Sequence, residues 1–184
     1  MIDEIFEKFD GAFSENTLRA YRSDFKQYEA WCAKRKQPSL PATADLVAEY
    51  VDFMAARNKS ATIRRRINSL GTIFKLSKHP DPTKKPEVLL ALKRMHRKIG
   101  RQQKQATPLT KDILDQLLEK CDDGTRGLRD QVLLRLGYET MRRRSEICGF
   151  TFDDLTEIPR KGSAIRLVRS KTDQEGASKL IPIS

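Results

Sequence analysis

Cysteine and histidine are scarce in this chain of 184 residues, which has three of the first and two of the second. Cys32, Cys121 and Cys148 are an odd set without C-x-x-C spacing, and His79 and His96 stand far from them. This pattern predicts neither a disulfide framework nor a zinc site. We therefore expect no metal and no cofactor, and thiols kept in a reducing compartment.

Long apolar runs are missing as well. No stretch approaches the ~18 consecutive apolar residues of a membrane span, and the N-terminal MIDEIFEKF is acidic where a secretory signal is basic. Only 9 glycines and 8 prolines occur, and 38% of the residues are hydrophobic, which is too many for wholesale disorder. We expect a folded, helix-rich cytoplasmic protein with no membrane partner.

The positive charge is concentrated in one quarter of the chain. Lysine and arginine total 36 against 25 acidic residues, a formal net charge of +11. Ser60 to Ala106 contains 13 basic and 2 acidic residues, so this segment carries the whole excess. A localised excess indicates a surface for a polyanion and disfavours a neutral small-molecule substrate.

Four helical patterns precede residue 108. Ser14 is a good N-cap for the first, the second follows Thr43, the third runs from about Ala61 to Ser77, and the fourth begins at Pro86. In the third, Ile63, Ile67 and Leu70 form an apolar stripe. A 100° step per residue places polar and basic side chains on the opposite half: Arg64, Arg65, Asn68, Thr72 and Lys75.

A run of charge on one helix is usually a solvated face. Two consecutive basic amphipathic helices with almost no acid between them favour a binding surface instead, because salt-bridged surface helices mix both signs. Arginine and asparagine can also read guanine and adenine edges in a major groove. Duplex DNA is therefore the favoured ligand, while RNA stays open on composition. A membrane surface is disfavoured because the opposite face is needed for the core.

A second unit follows the polar segment GRQQKQATP, which has the composition of a linker. We expect domains at 1–100 and 109–184 with a linker at 101–108. The second unit begins with a helix capped by Thr110 and continues with a longer helix. Beyond it, alternating residues on both sides of DQEG predict an antiparallel hairpin. Four apolar residues are available for burial: Val132, Leu133, Leu136 and Ile147.

The motif RRSEICGFTFDDL, preceded by RDQVLLRLGYETM and followed by a hairpin with SKT, resembles the first catalytic box and lysine hairpin of the tyrosine recombinase, or phage integrase, family. FSENTLRAY, ATIRRRINSL and KQATPLT are similar in type and order to that family's DNA-binding domain. The resemblance implies a mainly α protein. Its parts would be an N-terminal four-helix, SAM-like DNA-binding domain and the first half of a mixed α/β catalytic domain with an antiparallel β-hairpin.

The resemblance also implies catalytic roles for Arg143, Glu146 and Lys171. A bidentate guanidinium can stabilise the extra negative charge of a five-coordinate phosphate, an acid three residues on can orient it, and a hairpin lysine can protonate the departing 5′ oxygen. Three alternatives stay open. The arginines at 142–144 fit a solvated helix end, Glu146 fits a simple ion pair, and Lys179 is a second lysine on the same hairpin.

Ten residues are predicted to contact DNA, on the basic faces and in the segments that resemble the family. They are Thr17, Arg19, Arg22, Arg64, Arg65, Asn68, Lys75, Lys93, Arg97 and Arg101.

The family's later parts have no counterpart after Arg143. A His-x-x-Arg box, a further His or Trp and a tyrosine nucleophile are absent there, since every tyrosine precedes Arg143 (Tyr21, Tyr28, Tyr50 and Tyr138). We therefore expect an inactive fragment of a bacterial or phage recombinase that acts on DNA as a homotetramer. The second hypothesis is a stand-alone DNA-binding protein, regulatory or architectural, without chemistry.

Overall fold

The computed structural model of the chain describes residues 6–7, 9, 11–158, 162–168 and 178–183. The chain divides into two compact units, Met1–Lys104 and Gln105–Ser184. Each unit is described by itself below.

Residues 11–104 of the first unit form four helices, as the sequence predicts. They are α1 (Glu15–Lys34), α2 (Ala44–Ala55), α3 (Ser60–Leu76) and α4 (Pro86–Ile99), with a short 3-10 turn at Pro82–Lys84 before the last. Ser14 and Thr43 accept hydrogen bonds from backbone N–H groups in the first turns of α1 and α2. Pro86 opens α4, where its missing N–H costs nothing.

One hydrophobic core joins these four helices. The apolar stripe of α3 is fully buried, with Ile63 and Leu70 each 0% exposed. An aromatic group from α1 and α2 packs beside it, in which the Tyr28 and Tyr50 ring centroids lie 5.0 Å apart. Burial raises the pKa of both tyrosines above the ordinary value. Burial of these stripes leaves the basic sides of α3 and α4 outside.

The second unit combines short helices with a small sheet. Helices α5 (Lys111–Leu118), α6 (Thr125–Thr140) and α7 (Arg144–Ile147) precede a 3-10 turn at Phe152–Asp154. Strands β1 (Leu155–Ile158), β2 (Gly162–Leu167) and β3 (Lys179–Ile183) follow.

The three strands form an antiparallel sheet in the order β1-β2-β3. β2 and β3 are the two strands of the predicted hairpin, with Ser163 opposite Ile183 and Leu167 opposite Lys179. β1 was not predicted, and it pairs with β2 from Leu155 opposite Ile165 onwards. The short LTEI segment offers too few alternating residues to stand out in a sequence.

The expected burial of four apolar residues on α6 and α7 is wrong in part. Val132 is 47% exposed and Leu133 is 37% exposed, whereas Leu136 and Ile147 are half-buried. The physical reason is a shortage of apolar partners among the described residues of this unit. The hydrophobic side chains buried there are Leu114, Ala164, Ile165 and Leu167.

No helix in the described ranges combines the length and the apolar character that crossing a bilayer requires.

Candidate functional site

A basic groove runs between α3 and α4 in the first unit. It has a volume of about 380 Å³ and is lined by Arg64, Asn68, Leu89, Leu92, Lys93, His96 and Arg101. Helical spacing explains the arrangement, because Arg64 and Asn68 stand one turn apart on α3 while Leu89, Lys93 and His96 repeat along one side of α4. Cationic, amide and aliphatic groups therefore share one surface.

A second depression lies on the other side of Arg64, towards α1. It has a volume of about 400 Å³ and its lining includes Tyr21, Arg64, Arg65, Asn68 and Thr72. Arg64 and Asn68 line both concavities. The exposed side of α3 is thus the centre of a continuous polar surface, which we call the α3 face.

Most of the basic residues in Ser60 to Ala106 are available to a ligand. Four of the thirteen, Arg65, Arg66, Lys75 and Arg94, lie within 4 Å of an acidic group. The other nine are exposed and have no ion pair with another described residue. They are Arg64, Lys78, Lys84, Lys85, Lys93, Arg97, Lys98, Arg101 and Lys104.

His96 lies in the basic groove and was not singled out from the sequence. Burial lowers the pKa of its imidazole below the ordinary value, and the charges of Arg101 and Arg64 lower it further. The imidazole is therefore neutral at neutral pH in the absence of a ligand. The sequence did offer an indication, because His96 follows Lys93 by three residues and therefore lies on the same side of α4.

Arg65, one of the residues predicted to contact DNA, is anchored within the protein. Its Nη1 donates a hydrogen bond to Oδ2 of Asp24 on α1 at 2.5 Å. Asp24 is 1% exposed, whereas the side chain of Arg65 is 51% exposed. The arginine therefore reaches from a buried carboxylate to the surface of the α3 face.

The three predicted DNA contacts on α1 already interact with neighbouring side chains of the protein. The Thr17 hydroxyl lies 2.9 Å from that of Ser14, and Arg19 donates to Oδ1 of Asn16 at 3.3 Å. Arg22 stacks its guanidinium on Phe6, with 5.1 Å from its central carbon to the ring centroid.

Lys75 lies near the C-terminal end of α3, 3.6 Å from a carboxylate oxygen of Asp81. Arg97 is exposed on α4, outside the groove lining. The structure thus gathers Arg64, Arg65 and Asn68 on one face and brings Lys93 and Arg101 to its edge.

In the second unit, Arg143 and Glu146 form the pair that their spacing predicts. Arg143 is the N-cap of α7, and its Nη1 donates to Oε1 of Glu146 at 2.8 Å. The backbone N–H of Arg143 donates to Oε2 of the same carboxylate at 3.1 Å. Arg143 is 51% exposed, whereas Glu146 is 7% exposed. A sheltered carboxylate therefore fixes one edge of an accessible guanidinium.

Arg142, the residue before Arg143, interacts instead with the C-terminal end of α6. α6 ends at Met141 in a left-handed conformation, with φ of +50°. Arg142 then folds back, and its Nε donates to the carbonyl oxygen of Thr140 at 2.9 Å. This contact satisfies one of the last carbonyls of α6, so Arg142 is the helix-end residue that the arginine run suggested.

The predicted hairpin lysine, Lys171, lies outside the described residues. Lys179, its alternative, is described: it is exposed at the start of β3, opposite Leu167 of β2. In the described ranges, no group of three or more His, Cys, Asp or Glu side chains is placed to hold a metal ion.

Comparison with known proteins gives a consistent family. Residues 8–79 match the family described as phage integrase, N-terminal SAM-like domain. The chain is 30% identical over 174 residues to an integrase/recombinase xerD homologue from Selenomonas ruminantium, an alignment that covers 92% of this chain and 51% of that protein. It is 26% identical over 167 residues to recombinase cre of Escherichia phage P1, covering 88% of this chain and 49% of that protein. The chain thus spans about half the length of these relatives.

Proposed function

Because this chain belongs to the phage integrase family of tyrosine recombinases, we propose that it is the DNA-binding and partial catalytic region of a site-specific recombinase. The activity would be recombination of DNA or integration of a mobile element. The first unit would bind duplex DNA through the α3 face and the basic groove. The second unit would supply catalytic groups to a scissile phosphate.

The observation that carries the proposal is the unneutralised charge of the segment that contains the α3 face and the basic groove. Nine exposed cations in one 47-residue segment make no ion pair with a described acid. Such charges repel one another and favour a bound polyanion that releases its counterions. Arg64 and Asn68 add side chains that can hydrogen-bond to guanine and adenine edges. A surface that combines phosphate and base contacts fits a sequence-selective DNA ligand.

Arg143 is the proposed electrophilic residue of strand cleavage. Its accessible guanidinium would stabilise the negative charge that builds on the five-coordinate phosphate, and Glu146 would keep the guanidinium plane in position. Lys171 would act as the general acid that protonates the 5′ oxygen. The tyrosine that attacks phosphorus in this family has no counterpart after Arg143 in this sequence. We therefore propose that 1–184 alone does not cleave DNA.

Two domains, 1–100 and 109–184, would be joined by the linker 101–108. Both domains would bind the same DNA duplex and clamp it between them. The parent recombinase would act as a homotetramer on DNA at the nucleoid. The alternative is a stand-alone DNA-binding protein, regulatory or architectural, that uses the same α3 face without chemistry.

Binding of purified 1–184 to a 30-base-pair duplex, followed by fluorescence anisotropy, tests the DNA-binding part. Binding that weakens steeply with salt supports it, and no binding at 50 mM salt contradicts it. The coding sequence downstream then separates the two functions. A His-x-x-Arg box and a tyrosine favour the recombinase, while an immediate stop codon favours the regulatory protein.

A further inference from the structure

Asp24 is a buried carboxylate inside an otherwise apolar stripe of α1. It stands between Tyr21 and Phe25 on the side that packs against α3, and it is 1% exposed. Three groups from α3 surround it. Arg65 and Ser69 both donate to Oδ2, at 2.5 and 2.8 Å, and Nε of Arg66 lies 3.8 Å from Oδ1.

The ion pairs around Asp24 contribute little to the stability of the fold. Taking the Asp24 carboxylate out of water is costly, and attraction to an arginine offsets that cost only when the hydrogen bonding is complete. Asp24 Oδ1 and Arg66 Nε, which face each other, are both without a hydrogen-bond partner in the described structure. An apolar pair of similar volume would stabilise the fold at least as well. The retained charge therefore points to a role in orientation.

The group that the cluster orients is Arg65. The long arginine side chain loses much rotamer freedom when it is held in one position. Its Nη1 is fixed by Asp24, while about half of the side-chain surface is exposed on the α3 face, in the depression that Asn68 also lines. Ser69 reinforces the arrangement, because its hydroxyl lies within hydrogen-bonding distance of both Asp24 and the carbonyl oxygen of Arg65. A guanidinium has five N–H donors, so other donors remain for a ligand.

We propose that Asp24 is a positioning residue for DNA recognition, which touches no DNA itself but holds Arg65 in the orientation that reads a base. The proposal rests on the DNA-binding function proposed above. It makes Asp24 a determinant of sequence preference in a domain where a buried acid would otherwise oppose binding of a polyanion.

Replacing Asp24 should raise the affinity for DNA but lower the discrimination between bases, and this difference makes the proposal testable. Asp24→Asn removes one negative charge close to bound phosphates, so electrostatics alone strengthens binding to every duplex. Loss of positioning weakens only the discrimination between bases. The two readings therefore predict changes in different quantities.

The probe is a library of 30-base-pair duplexes with a randomised centre, selected by the full 1–184 chain and then sequenced. Wild type, Asp24→Asn and Arg65→Ala are compared. Asp52→Asn is the matched control, because Asp52 also pairs with an arginine, Arg94, at 3.1 Å, but on an exposed part of α2. Circular dichroism shows that each variant is folded at the selection temperature.

We expect Arg65→Ala to lose about tenfold or more of its preference at one base position. Asp24→Asn should lose at least about threefold at the same position while its affinity for the unselected library does not fall. Asp52→Asn should keep the wild-type motif. If Asp24→Asn does not fold, Ser69→Ala replaces it, since it removes one donor from the same carboxylate and should weaken the same position.

Three results would overturn the proposal: an unchanged motif in Asp24→Asn or Ser69→Ala, a loss at positions unrelated to Arg65, or binding by wild type without any enriched motif. Failure of wild type to bind the library at all would instead contradict the DNA-binding function.

Discussion

The salt dependence of DNA binding is the most direct measure of the basic surface. Nine exposed cations of Ser60 to Ala106 lack an ion pair with a described acid. A duplex covers one side of a domain, so we take about six of them as phosphate contacts. At ~0.9 per contact, the slope of log affinity against log salt is about −5. Between 50 and 200 mM salt, affinity should fall about 10³-fold.

Lys93→Ala is the perturbation that tests this count. Lys93 lines the basic groove on α4, so its loss should make the slope shallower by ~0.9 and weaken binding to all duplexes alike. Lys34→Ala is the matched control, since Lys34 is also an exposed helical lysine. It lies 13 residues beyond Tyr21 on α1, about 20 Å along the helix from the α3 face. Its slope should equal that of wild type.

Fluorescence anisotropy with a labelled 30-base-pair duplex at five salt concentrations gives both slopes. A wild-type slope between 0 and −1 would refute the electrostatic argument. Equal effects of Lys93→Ala and Lys34→Ala would refute the assignment to the groove, because the charge would then act through the protein as a whole.

Four further outcomes are expected. Arg65→Ala should cost ~1 to 3 kcal/mol on a selected site and less on random DNA, and equal losses would make Arg65 a phosphate contact. The pKa of His96 is depressed in the unbound protein and phosphates favour the protonated imidazole, so affinity should rise as the pH falls through the pKa of the imidazole in the complex. His96→Gln should flatten that rise, and a pH profile identical to wild type would exclude His96 from the interface. Purified 1–184 should form no covalent adduct with a nicked suicide substrate on a denaturing gel; an adduct would reveal another nucleophile. In the intact parent, Arg143→Ala should abolish cleavage with site binding nearly unchanged in a gel-shift assay, so a comparable loss of both would indicate a structural role.

The helices could be predicted because their signals are local. Ser14 and Thr43 mark helix starts through contacts three residues away, and the α3 stripe repeats within one element. The pair of Arg143 and Glu146 belongs to the same class, since one helical turn brings the two side chains together wherever the helix lies. Such features depend on neither the core nor the sheet.

The features that sequence reasoning missed depend on the tertiary structure. Asp24 and Arg65 are 41 residues apart, and only the packing of α1 against α3 brings them together. An acid at a buried position of the α1 stripe was the available signal, but its partner had no fixed spacing. The exposure of Val132 is likewise set by which groups pack on α6. Neither result follows from the periodicity of a single helix.

The internal ion pairs change how the net charge should be interpreted. If all thirteen basic residues contacted phosphate, the salt slope would be about −12, and with the nine unpaired ones it would be about −8. Arg65, Arg66, Lys75 and Arg94 already have acidic neighbours, so a phosphate that displaces one of these pairings competes with a carboxylate. For Arg65 that carboxylate is buried, and leaving it unpaired is costly. If Asp24→Asn leaves the slope near −5, Arg65 released from its carboxylate adds no phosphate contact, as expected of a side chain that meets a base.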